Sequence, residues 1–529
     1  MKFLKRITVM AVSLSMLMSA SACSAQASDF SFKGEIIPSE DLGLSVGEKL
    51  TKAYKDMGEN NPISSDIFFA DPTAVEYEGR LYIYGTNDSQ EYNDKAGYGS
   101  NGYGSINTLA CYSTDDMSNF RYECTIPVCQ VASWAGCSWA PSIVARKESD
   151  GKTHFYLYFA NSGANIGVIT STSPTGPWTD PVGGPLIHNG MEGLSNDPVT
   201  WCFDPGAVID ENGTGWIAFG GGDPAHPDEN GMHTGNCRIA KLGKDMVSID
   251  GDIVKVPTYF HFEANELNYI NGTYVLTYCS NYADRSMFPV SLGAAPQTCS
   301  MCYMTSKTPL IADSWEWGGE YLTNPNTFGY PFSNNHSHLH KFGDKYYLIY
   351  QNVSLLENMN RLDRADGFRS LGIDICEVDE KNVVLKSSKM TDKGVDQIKN
   401  LDAFALNEAE TMHTAAGLQY FYNADEKITF VSGISDGDWL GLTDVDFGGG
   451  ANSFAAKVRG KGIIEVRLDD INSAPVAALQ FDTGTEEFKV VSGDIAKAVS
   501  GVHDVFFVFG GSFVFDQWQF AYLSEETAE

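Results

Sequence analysis

"ADPTAVEYEGRLYIYGT", residues 70–86, is the stretch whose reading decides the fold. An acid and a proline open it, an apolar run follows, a polar turn around Gly79 interrupts it, and an alternating aromatic strand ends it. That order is the sequence form of a β-hairpin. Four further segments repeat it: "SDGKTHFYLYFAN" (149–161), "DENGTGWIAFGG" (210–221), "YINGTYVLTYCS" (269–280) and "KFGDKYYLIYQN" (341–352). Their marker glycines, Gly79, Gly151, Gly213, Gly272 and Gly343, recur at intervals of roughly 60–70 residues. Each such unit has room for several short strands, and five of them predict a five-bladed β-propeller.

The strand entering each hairpin begins with "ADPTAV", "WAPSIV", "FDPGAV", "FEANEL" or "NNHSHL", so Asp71, Ala140, Asp204, Ala264 and His336 hold nearly one structural position. In a propeller the first strand of every blade lines the central axis. Asp71, Asp204, Glu263 and His336 are therefore expected to converge at one end of it. Carboxylates gathered in this way repel one another and lose hydration, a cost that a purely structural core avoids. The same crowding separates their pKa values, which suits hydrolysis of a glycosidic bond: one carboxyl stays protonated for the leaving oxygen and another stays ionised to activate water or attack carbon.

In that order, "ADP", "WAP", "DPGAVIDENGTGW", "FEANELNYINGTYVLTY" and "NNHSHL" resemble glycoside hydrolase family 43 over about residues 61–390. The resemblance implies an inverting mechanism with Asp71 as general base, Asp204 as the acid that tunes and orients, and Glu263 as general acid. One departure stands out: Asn265 occupies the place of the family's proline. A competitor, Glu266, follows three residues after Glu263, and simple strand alternation would turn it to the opposite face. His336 resembles the axial family histidine that in several members helps hold a calcium ion. Trp139 is a candidate sugar platform, and Arg369 in "FRSLGID" resembles a family arginine that reaches the site.

After a linker at 391–405 the composition changes to short alternating strands with Gly and Asp turns, and residues 406–525 read as a jelly-roll β-sandwich. With "EAET", "DGDWLGLTDVDFGGGANSFAAKV" and "FDQWQFA", this part resembles a carbohydrate-binding module of family 6. The resemblance implies a structural calcium at Glu408, Glu410 and Asp516, whose oxygens suit a hard cation. Where the family's sugar cleft commonly carries an aromatic and an asparagine, this chain has Glu487 or Phe488 and Val514. Trp439 and Phe488 are possible platforms.

The remaining expectations come from the bulk sequence. Among 529 residues, 36 basic against 68 acidic side chains leave a net charge of −32, which excludes nucleic acid and anionic membrane surfaces as natural partners. Residues 1–27 read as an export signal, with cleavage near Ala27 or before a lipid-bearing Cys23, so a secreted protein or a surface lipoprotein is expected. Residues 28–60 form an N-terminal segment ahead of the propeller at 61–390. Ten cysteines remain after Cys23, an even number in an exported chain, and pairing is not deducible. The expected activity is removal of α-L-arabinofuranosyl units from plant arabinoxylan or arabinan by a monomer without organic cofactor. A β-xylosidase or endo-arabinanase of the same family, a retaining transferase on the same plan and a non-catalytic glycan-binding lipoprotein are the alternatives.

Overall fold

The computed structural model describes residues 30–222, 236–423 and 426–523. The expected export signal lies outside the described residues. The five hairpins open five separate antiparallel sheets, blades I to V, each following the previous one in the chain. Their innermost strands are Ala70–Tyr77, Trp139–Lys147, Gly206–Ile209, His261–Ile270 and Ser337–Phe342. All five marker glycines sit in the turns with φ between 61° and 81°. Only glycine adopts that left-handed backbone without a Cβ penalty, which is why the repeat was visible as glycines.

Apolar clusters fill the spaces between blades. Tyr84, Ile143, Phe155 and Leu157 join blades I and II, and Tyr158, Ile166, Ile217 and Phe219 join II and III. Blade V has three strands of its own, Ser337–Phe342, Lys345–Asn352 and Ser370–Ile375. The segment just before blade I runs along its outer edge, where Ile63 N donates to Leu371 O (2.8 Å) and Ile373 N donates to Asn61 Oδ1 (2.8 Å). The two ends of the propeller chain are thereby tied together.

In the C-terminal module two long strands, Ala451–Leu468 and Val502–Ala521, pair from Ser453↔Ala521 to Leu468↔Val505. Phe454, Phe507, Phe509, Phe515, Trp518 and Phe520 fill its core. The N-terminal segment belongs spatially to this module: Ile36–Pro38 pairs in parallel with Lys489–Val499. Farther along, Thr51 O accepts the Trp439 indole N–H at 2.8 Å. Trp439 is therefore 8% exposed beneath that segment, and the expectation that it offers a sugar platform fails because the N-terminal strap covers its face. Thr411–Met412 pairs with Phe120–Ile126 as a fifth strand of blade I, and Tyr420 OH donates to Asp66 Oδ2 at 2.8 Å, so module and propeller share an edge.

Candidate active site

The inner strands of blades I to IV start with the same device. Asp71, Ala140, Asp204 and Ala264 all have positive φ, at 51°, 38°, 46° and 63°. In blades I, II and IV the pairing register slips at that point, between Ala70 and Thr73, Trp139 and Ser142, and Glu263 and Glu266. Such bulges re-aim side chains, and left-handed L-residues concentrate where geometry serves a site, at about 1–3 kcal/mol each. Gly206 lets blades III and IV close up: a Cβ there would meet Asn265 O and Glu266 Cα at 2.6 Å.

Asp71, Asp204 and Glu263 line one cleft of about 370 Å³ at the mouth of the axis, together with Trp139, Arg369 and His336. Asp71 is 7% exposed and accepts from Arg369 Nη1 (2.8 Å) and Thr86 Oγ1 (2.7 Å), with His336 Nδ1 3.2 Å away. Burial opposes its charge, but Arg369, His336 and Thr86 outweigh burial and hold its pKa well below the ordinary carboxylate range. Glu263 lacks such partners. Burial, and then the neighbouring Asp204, push its pKa well above the usual value. Asp204 lies between the two extremes: burial and Asp71 raise it to about 6, against the opposing pull of His336 and the Ala264 N–H. That N–H donates to Asp204 Oδ2 at 2.7 Å, which links the acid of blade III to the kink of blade IV.

Asn265 has a definite task in place of the proline. Its Nδ2 donates to Asp204 O (3.1 Å) and Gly220 O (2.7 Å), and its Oδ1 pairs with His261 Nε2 at 2.7 Å. It sews blade IV to blade III directly behind the two acids. The expected outward turn of Glu266 does not occur, because the bulge inserts one residue and restores its phase with Glu263: they oppose Thr277 and Cys279, two residues apart. Glu266 instead lies 1% exposed against the inner strand of blade V, with His338 Nδ1 3.2 Å from its Oε2, and it does not line the cleft.

Arg369 is 3% exposed and held on two sides. Its Nε and Nη2 donate to Asp88 Oδ2 (2.9 Å) and Oδ1 (2.8 Å), and its guanidinium lies 4.9 Å from the Tyr103 ring centre. Asp88, Thr86 and Tyr103 were not picked out from the sequence. Asp88 and Thr86 sit in "YGTND", at the end of the first hairpin, and only the fold brings Arg369 to them. Trp139 lines the cleft with its indole N–H on Tyr103 O at 3.0 Å. Trp201, Phe203 and Phe262 complete the wall, and edge contacts continue from Trp201 through Phe262 and Tyr282 to Phe332. Trp201, Tyr282 and Phe332 are 40–51% exposed, so an aromatic lane leads out of the cleft.

Among the described residues no group of three metal-ligating side chains is assembled. His336 Nδ1 already faces Asp71. Glu266 offers two buried oxygens that accept no hydrogen bond, a donor set that fits a hard cation better than an imidazole does. In the module, burial raises the pKa values of Glu408, Glu410 and Asp516, with repulsion from Asp516 adding to it at Glu408 and from Glu408 at Glu410. Glu410 Oε2 is buried without a partner, while Asp516 Oδ2 lies 2.6 Å from Lys457 Nζ. All ten cysteines of the described chain are free thiols; Cys279 and Cys299, behind Glu263, have Sγ atoms 3.7 Å apart.

A propeller whose axial cleft gathers three carboxyls with pKa values pushed apart has the equipment of a glycoside hydrolase. The profile "Glycosyl hydrolases family 43" matches residues 59–380, and "Carbohydrate binding module (family 6)" matches 408–522. The chain belongs to glycosyl hydrolase family 43. It is 35% identical over 507 residues to an arabinoxylan arabinofuranohydrolase of Bacillus subtilis strain 168, covering 89% of this chain and 94% of that protein. An arabinoxylan arabinofuranohydrolase of Paenibacillus polymyxa is 33% identical, over 88% of this chain and 74% of that one. A crystal structure of a family 43 arabinoxylan arabinofuranohydrolase from Bacillus subtilis in complex with cellotetraose superposes with a TM-score of 0.81 at 33% identity, covering 90% of this chain and all of that one.

Proposed function

We propose that this glycoside hydrolase removes α-L-arabinofuranosyl units from arabinoxylan with inversion. The observation that carries the chemistry is the opposed ionisation of Asp71 and Glu263 in one cleft. Glu263, kept protonated, gives its proton to the glycosidic oxygen as the bond to the anomeric carbon breaks. Asp71, kept ionised, takes a proton from the water whose oxygen forms the new bond to that carbon. Asp204 keeps negative charge beside Glu263 and so favours its protonated form. Trp139 and the other aromatic walls hold the sugar ring, and Arg369 keeps Asp71 in place. The substrate choice is supported by the names of the two relatives, which are matched over both the propeller and the module.

Calcium would find oxygen donors at two places, from Glu266 beside His336 on the axis and from Glu408, Glu410 and Asp516 in the module, though neither place gathers three such ligands among the described residues. When bound, it would neutralise buried carboxylates. We further infer that the protein is exported and acts on plant cell-wall hemicellulose as a monomer.

The test is product analysis on arabinoxylan, sugar-beet arabinan and xylo-oligosaccharides in parallel, with NMR of the first anomer formed. Arabinose released from arabinoxylan as the inverted anomer, and lost in Asp71→Ala, is the expected result. Xylose as the main product, retention of configuration, or no release from any pentose polymer overturns the reading.

A further inference from the structure

The outer surface of the module carries a feature that hydrolysis does not use. Lys457, Arg459 and Lys461 alternate along the strand Ala451–Leu468 and so project from one face. Two of them are answered by acids: Lys457 Nζ lies 2.6 Å from Asp516 Oδ2, and Lys461 Nζ lies 3.4 Å from Asp482 Oδ2. Arg459 has no carboxylate partner among the described residues. Its Nη1 reaches only Glu486 O, at 3.4 Å, and its guanidinium rests over the rings of Phe430 (5.6 Å) and Phe488 (5.0 Å).

This arginine lines a pocket of about 460 Å³. Phe421 stands at the same pocket, 55% exposed, with its ring centre 5.3 Å from that of Phe430. Ser432, Thr485 and Ser512 add hydroxyls to the lining. Phe513 and Val514 form an apolar side of the lining. Glu486 shares the pocket but is solvent-exposed, and water and salt weaken its repulsion of an anion.

A planar guanidinium with free N–H groups beside an exposed aromatic face matches a sugar ring that carries a carboxylate. We propose that this pocket binds a hexuronate, with the sugar ring on Phe421 and the carboxylate on Arg459. Acidic side groups of hemicellulose are the polymer-borne source of that ligand. The proposal is independent of the reaction in the propeller cleft.

The full-length protein is titrated with glucuronoxylan, with the same polymer after carboxyl reduction, and with free glucuronic acid. Carboxyl reduction is expected to weaken binding by about tenfold or more, and added salt to weaken binding of the acidic polymer but not of the reduced one. Arg459→Gln abolishes the preference, and Arg459→Lys, which keeps charge but loses the fork, retains only part of it. Unchanged hydrolysis of an aryl arabinofuranoside by both variants shows that they fold. Binding of free glucuronic acid alone assigns the pocket to a soluble uronate, while binding of the polymer alone assigns it to the wall polysaccharide. Equal binding of acidic and reduced polymers, no binding of any of the three, or a preference that survives in Arg459→Gln overturns the proposal.

Discussion

Arg369 Nη1 lies 2.8 Å from Asp71 Oδ1, and the same guanidinium is gripped from behind by both oxygens of Asp88. The cation of blade V is thereby aimed at the carboxylate of blade I by a third residue that never meets the cleft. With Arg369 removed, burial gains weight at Asp71 and its pKa rises. In Arg369→Met the acid limb of the kcat/KM profile therefore moves to higher pH. Asp88→Asn loosens the grip on Arg369 but also removes a carboxylate that repels Asp71, so the acid limb moves less than in Arg369→Met, with kcat falling about tenfold and KM little altered. An unshifted acid limb in Arg369→Met would show that Asp71 does not set it.

Glu263 shares its neighbourhood with Asp204, whose charge raises its pKa. Asp204→Asn keeps an oxygen to accept from the Ala264 N–H but removes the charge. The basic limb of the pH profile then moves to lower pH, because Glu263 loses its proton sooner. Glu263→Ala is expected to cost about 10²–10⁴ in kcat on arabinoxylan, and much less on an aryl glycoside whose leaving group needs little protonation. Equal losses on both substrates count against Glu263 as the acid.

Asn265 makes four contacts behind the acids, to Asp204 O, Gly220 O, His261 and the Cys237 thiol. Asn265→Ala leaves these buried groups without partners and is expected to destabilise the chain by about 3 kcal/mol. Urea unfolding gives the number. Because Asp204 O is one of the lost partners, the same variant also lowers kcat without a matching rise in KM.

Glu410 is 3% exposed, its Oε2 has no partner, and its pKa lies well above the ordinary value because burial and Glu408 disfavour its charge. A carboxyl raised in the folded state contributes stability at low pH, and this is lost as pH rises from the unfolded pKa towards the folded one. At neutral pH the cluster therefore works against folding unless a cation is present. Chelation with EDTA is expected to lower Tm at pH 7 and to have little effect at pH 4. Glu410→Gln reduces the pH dependence, leaving the part due to Glu408 and Asp516, and raises the cation-free stability by about 1 kcal/mol. A Tm at pH 7 that neither EDTA nor added calcium changes excludes a cation there.

The propeller was legible because its turns demand glycine. Gly79, Gly151, Gly213, Gly272 and Gly343 each need a left-handed backbone, and each is followed by an aromatic strand that must be buried on both sides. The acids were legible for a related reason, since Asp71 and Asp204 occupy the one repeat position that opens on the axis and Glu263 stands one residue before it in blade IV. Glu266 was misread because alternation holds only in an unbroken strand, and the bulge between Glu263 and Glu266 adds a residue that single-sequence periodicity does not reveal. Trp439 was misread because its cover, the Thr51 segment, lies nearly 400 positions away in the chain.

By itself the sequence determined the repeat, the strand and turn order, and the set of carboxylates, because local backbone chemistry and hydropathy are written residue by residue. Tertiary structure alone decided their ionisation. Asp71 is charged because Arg369 and His336 close on it from the last blade, whereas Glu263 holds its proton because burial and the neighbouring Asp204 outweigh the weaker pull of Arg369. A pKa depends on distance through space, and the groups that set these two come together only when blade V returns to blade I.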